Sequence, residues 1–147
     1  MDREVLAWHE AGHAVVASLL SCEVKTVSLR PPSCWARGDG LEGACIALAG
    51  PLAEMRRFGH NTAQHWANGW SGDAANARER YDGHLGEAIR RTDHLLRCNW
   101  QWVELVADAL LKCGSLSGAE VERLGMAPPG RRGGDLGVDR PIAGLGL

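Results

Sequence analysis

No excess of charge of either sign marks this chain: 16 Lys and Arg stand against 18 Asp and Glu, for a net charge of −2. The basic residues cluster only as the pairs Arg56-Arg57, Arg90-Arg91 and Arg131-Arg132. A nucleic-acid partner needs a broad basic field, so none is expected. CxxC spacing is missing too. The five cysteines, Cys22, Cys34, Cys45, Cys98 and Cys113, are an odd number, which fits reduced thiols better than a disulfide framework. The uncharged stretch from Gly43 to Ala53 is broken by Pro51 and is too short to cross a bilayer. At the start, Asp2-Arg3-Glu4 lacks the basic region and apolar segment of a secretory leader. The expectation is a cytoplasmic protein without a membrane anchor. At 147 residues it fits one domain with a real core.

The informative feature is His9-Glu10-Ala11-Gly12-His13. On a helix, residues i and i+4 stack on one face, so both imidazoles can converge on one metal ion while Glu10 sits beside it. In HExxH metallopeptidases zinc takes two His and one further protein ligand, and its open position lowers the pKa of a bound water. The expected cofactor is therefore Zn2+, with His9 and His13 as ligands. Glu10 would be the general base and acid, taking the water's proton and passing it to the leaving amine. The context is helical: Asp2 can cap the start, Glu4 suits the positive end of the dipole, and Val5, Trp8, Val15, Val16, Leu19 and Leu20 supply an apolar surface. Gly12 costs about 1 kcal/mol relative to Ala inside a helix, which makes sense where a Cβ would obstruct a close neighbour.

Glu23 to Arg30 alternates as a strand, with Val27 and Leu29 on its apolar face and Val24, Thr26 and Ser28 on the other. Pro31-Pro32 stops it, and Ser33 to Gly40 reads as a loop or irregular edge. A second helix is expected from Leu41 to Phe58, kinked or divided at Gly50-Pro51. His60 to Gly72 is polar and irregular. From Asp73 a long helix reaches Leu96, with breaks available at Gly83 or Gly86, and another spans Trp100 to Lys112 and stops at Gly114. Ser117 to Glu120 has capping-box spacing and opens a short helix to Leu124. Residues 1–126 thus form the domain, and Ala127 to Leu147 reads as a flexible Pro/Gly/Arg-rich tail. The fold class is mainly α with a small β element, the HExxH helix packed zincin-like in a helical bundle.

Four segments, in order, resemble the protease domain of the FtsH-type, AAA-linked zinc metalloproteases: His9 to Ala14, Leu48-Ala49-Gly50-Pro51-Leu52-Ala53-Glu54, Ser71-Gly72-Asp73-Ala74-Ala75-Asn76-Ala77, and Trp102 to Leu124. The resemblance covers roughly residues 3 to 125. It implies that Asp73 is the third zinc ligand and that Glu54 supports the site from behind. In another broad class of HExxH enzymes the third ligand is a Glu on a following helix, so Glu54 stays open as the alternative ligand. Two departures stand out. The family's segment between the first helix and the Gly-turn is longer than Glu23 to Gly43. The family's ATPase module and membrane anchor are not in this sequence, which has no Gly-rich phosphate loop ending in Lys-Ser/Thr.

The function read from the sequence is a zinc metalloendopeptidase that hydrolyses flexible or unfolded protein segments with metal-activated water, with an ATPase partner in trans as an option. Substrate would add as a strand beside Val24, Thr26 and Ser28. Two alternatives remain: a regulatory protease specific for one partner or repressor, and a non-catalytic interaction domain with structural zinc or none. His60, His65, His84 and His94 lack a paired spacing and read as surface residues, and Cys22 and Cys34 as idle thiols.

Overall fold

The structure is a computed structural model that describes residues 2–59, 71–81, 83 and 85–126. The sequence readings for residues 60–70, for His84 and for the tail at 127–147 lie outside the described residues. The fold is mainly helical with a small antiparallel sheet, as the patterning implies.

Helix α1, Arg3–Leu19, is the centre of the molecule. Asp2 caps it by accepting a hydrogen bond from the Glu4 backbone N–H at 2.9 Å. Every residue from Ala7 to Ala17 is buried, because α1 is covered on several sides. Helix α2, Gly40–Phe58, packs along one side. The two approach closely enough that a Cβ on Gly12 would lie 2.6 Å from the Ala49 carbonyl oxygen and 2.7 Å from the Ala53 Cβ. That is the close neighbour Gly12 leaves room for.

Two strands follow α1: β1, Val24–Leu29, and β2, Pro32–Ala36. Beyond α2 come α3, Ser71–Arg80, α4, Leu85–Cys98, and α5, Trp100–Cys113, then β3, Ser115–Ser117, and α6, Gly118–Gly125. Helix α5 covers α1 on another side, where Trp100 stacks on Trp8 with ring centroids 5.3 Å apart. It stops at Gly114, whose φ of 84° suits glycine. Helix α4 lies on α2, with Ala88 and Thr92 fully buried between them. The Ser117–Glu120 capping box opens α6 as its spacing implies.

At three elements the structure selects among readings the sequence left open. Helix α2 runs on through Pro51 as one element. Pro51 removes a single interior hydrogen bond, and burial of Gly43 to Glu54 against α1, α3 and α4 offsets that loss. The long helix expected from Asp73 is interrupted at Gly83, one of the two breaks the sequence offered, and so forms α3 and α4. Of the loop or irregular edge expected after Pro31-Pro32, the structure has an edge: β2, which Pro32 opens as an edge strand can.

The sheet order is β2-β1-β3, and this corrects the proposed substrate strand. Val24, Thr26 and Ser28 lie on the central strand. On one side they pair with Ala36, Trp35 and Ser33 of β2; on the other, Thr26 and Ser28 pair with Ser117 and Ser115 of β3. Val24 is closed off as well, because a Cβ on Gly118 would overlap its carbonyl oxygen. No further strand can add to β1 there, since its main-chain groups are already bonded. Among the described residues, the outer strands of this sheet are β2 and β3, and β2 is the one that walls the cavity. No described helix is long and apolar enough to cross a membrane.

Candidate metal centre

His9 and His13 sit one turn apart on α1 and turn the same edge of their rings to a common point, Nε2 to Nε2 at 3.1 Å. Their other nitrogens explain why. His9 Nδ1 is held by Glu54 Oε2, and His13 Nδ1 donates to the Ile46 carbonyl oxygen at 2.6 Å. Both partners belong to α2, so one helix orients both imidazoles. With Nδ1 carrying the proton, each Nε2 presents a lone pair, the arrangement a metal ligand needs. The close approach of α2 depends on Gly50: a Cβ there would come within 2.7 Å of His9 Nε2 and nearer still to His13 Nε2.

Helix α3 brings the third group. Asp73 Oδ2 lies 3.0 Å from His9 Nε2 and 3.5 Å from His13 Nε2, and the three ligand atoms fall within 4.8 Å of one another. Among the described residues, no other group of three His, Cys, Asp or Glu side chains is so placed. Asp73 Oδ2 is buried, yet no donor meets it with hydrogen-bond geometry. Three acceptor atoms therefore face one point, an arrangement that repels itself until a cation occupies it. Two imidazole nitrogens and one carboxylate oxygen are a donor set that zinc accepts, so the residues present fit that ion.

Glu54 is not in this group. Its carboxylate, 1% exposed, meets His9 at Nδ1, away from the nitrogen that faces Asp73. That contact fixes the ring's tautomer and direction.

Glu10 lines the same cavity without joining the ligand group. Burial lifts its carboxyl above the ordinary value, while His13 and His9 pull it back. A raised pKa makes it a stronger proton acceptor. For His9, burial disfavours the charge, but carboxylates on both ring nitrogens, Asp73 and Glu54, outweigh it and raise the pKa to about 10. His13 is also raised: burial opposes its charge and Asp73 outweighs that. Asp73 moves the other way. Burial favours its neutral form, but the two imidazoles hold it well below the usual carboxylate range.

The cavity is about 300 Å³, with β2 forming one wall through Pro32, Ser33, Cys34 and Ala36. Cys34, read from the sequence as an idle thiol, lines it. Burial and the nearby Glu10 push that thiol up to about 12, and it does not belong to the group of ligand atoms formed by His9, His13 and Asp73. Asn76 also lines the cavity and carries no motif of its own; its signal was the three-residue spacing from Asp73, which puts both on one face of α3. His94 is an exposed residue of α4, away from the centre. No protein-family model matches the chain, and neither does any curated protein.

Proposed function

We propose that the chain is a zinc-dependent metallopeptidase acting on flexible or unfolded protein segments, in line with its resemblance to the FtsH-type protease domain. The observation that carries this reading is the convergence of His9, His13 and Asp73 on one point beside a buried glutamate that ligates nothing. When bound, zinc would supply the Lewis acidity that polarises a scissile carbonyl and eases loss of a proton from water.

The remaining work falls to the chain's own residues. Glu10 accepts the proton of the attacking water and delivers it to the amine as the C–N bond breaks. Glu54 and the Ile46 carbonyl keep the imidazoles in one orientation through the cycle. Substrate main chain adds along the open edge of β2, which walls the cavity, rather than along β1. Such pairing needs an extended segment, hence the preference for unfolded substrate, with an ATPase in trans as the means of handling folded ones. The odd number of cysteines without CxxC spacing supports a reducing, cytoplasmic setting.

The test is a digest of casein by the purified chain, with bound zinc measured in parallel. About one zinc per chain is expected, with hydrolysis lost on chelation and restored by added zinc. A chain that binds no zinc, or whose hydrolysis ignores chelation, would contradict the proposal.

A further inference from the structure

The alternation of β2 divides its side chains between the two faces of the sheet. Cys34 pairs with the fully buried Val27 and lines the cavity together with Ala36. Trp35, between them, pairs with the exposed Thr26 and turns to the outer face. There its indole is 48% exposed.

A lone apolar side chain on a surface needs no explanation, but this one has two further properties. Its ring is held in place: Lys25 Nζ lies 4.6 Å from the ring centroid, so the cation covers part of the indole and restrains it. It also stands on the outer strand that walls the cavity, flanked on both sides by residues that line it. In a strand added along β2, the residue opposite Trp35 brings its Cβ about 4.5–5.5 Å from the Trp35 Cβ, on the same face of the extended sheet. With a rise of about 3.3 Å per residue, that contact falls within a few residues of the bond presented to the cavity. The uncovered part of the indole gains most from an aromatic or large apolar neighbour. The charge of Lys25 disfavours Lys or Arg at the same position.

We infer that Trp35 is a specificity-determining residue, selecting substrate segments that carry an aromatic or large apolar side chain at the position paired with it. The inference rests on the peptidase reading above and narrows its substrate class to unfolded segments exposing the apolar residues that a folded protein buries. Because Trp35 lies off the reacting atoms, its contact is the same in the bound substrate and in the transition state, so it acts on KM rather than on kcat.

The test uses the zinc-loaded full chain and a series of unfolded peptides that differ only in where a single Phe replaces Ala about the cleaved bond. For the parent, Phe at one such position should lower KM about 3–10-fold, a preference that Trp35→Ala abolishes and Trp35→Phe largely keeps. Bound zinc, kcat and the KM of the all-Ala peptide should stay at parental values in Trp35→Ala. An undiminished Phe preference in Trp35→Ala would overturn the inference, as would a loss of zinc or an equal loss on every peptide, which would make Trp35 a support for the sheet. A parent chain that binds zinc and the peptides but hydrolyses none overturns the peptidase reading instead. Fluorescence anisotropy of the same peptides, labelled, on the parent and Trp35→Ala then decides the role of Trp35.

Discussion

His9 meets Glu54 through Nδ1, and that contact decides which nitrogen faces the cavity and which carboxylate can be a ligand. With Nδ1 occupied by Glu54, only Nε2 remains for a metal, and it points at Asp73. The two carboxylates therefore carry separate roles that substitution can separate. Asp73→Ala should strip the metal or weaken it severely, because two imidazoles alone fall short of the three protein ligands of a catalytic zinc site. Glu54→Gln should keep zinc and cost about 10–100-fold in affinity or activity. Zinc titration against a competing chelator distinguishes them, and the reverse order of losses would make Glu54 the ligand.

Gly50 and Gly12 give opposite signs from what helix propensity alone requires. Replacing an interior glycine with alanine stabilises an unobstructed helix by about 1 kcal/mol. Here Gly50→Ala should cost more zinc affinity than Glu54→Gln, because its Cβ would occupy the space of the ligand nitrogens. Gly12→Ala should destabilise the fold by about 1–3 kcal/mol through overpacking against Ala49 and Ala53. Chemical denaturation and zinc titration of both variants check this; a stabilised Gly12→Ala would mean that α1 and α2 are less closely packed.

These glycines show how far the sequence could be read. The HExxH helix and its Asp2 cap were legible because each depends on neighbours within a turn or two, whereas Gly12 showed only as a costly glycine inside a helix, its close neighbours Ala49 and Ala53 lying on α2. Gly50 was legible only as a helix breaker beside Pro51. Its packing on His9 and His13 depends on how α2 crosses α1, which no local pattern encodes. The substrate strand failed for a similar reason. Strand β1 was plain from Val27 and Leu29, but β3 has three residues, too few to show alternation, and it closes the edge on which substrate pairing was expected. The resemblance, more than any spacing, singled out Asp73.

Zinc affinity should rise with pH. In the metal-free protein the His9 pKa stands near 10, raised from 6.5, so at neutral pH zinc must displace a proton. A raised folded-state pKa contributes stability that is fully present below 6.5 and is lost as pH rises towards 10. The depressed Asp73 contributes stability above its ordinary value of 3.8 that is lost as pH falls below it. The melting-temperature gain from saturating zinc should therefore be larger at about pH 9 than at about pH 6. Thermal melts with and without zinc at the two pH values check this; an equal or smaller gain at the higher pH would argue against His9 as a ligand.

Access to the cavity sets a fourth expectation. A segment must be extended to pair with the β2 edge, so the purified chain should degrade casein, spare a stably folded protein and show no response to ATP. ATP-stimulated destruction of a folded substrate by this chain alone would contradict it.

The most direct measurement is casein hydrolysis by zinc-loaded Glu10→Gln beside the parent chain, with bound zinc determined in both. The amide keeps the shape of the side chain and loses only the proton acceptor, so zinc should stay at about one per chain while the rate falls at least about 10²–10⁴-fold. Full zinc with an undiminished rate would remove Glu10 from the chemistry and contradict the assignment of this cavity as a peptidase site.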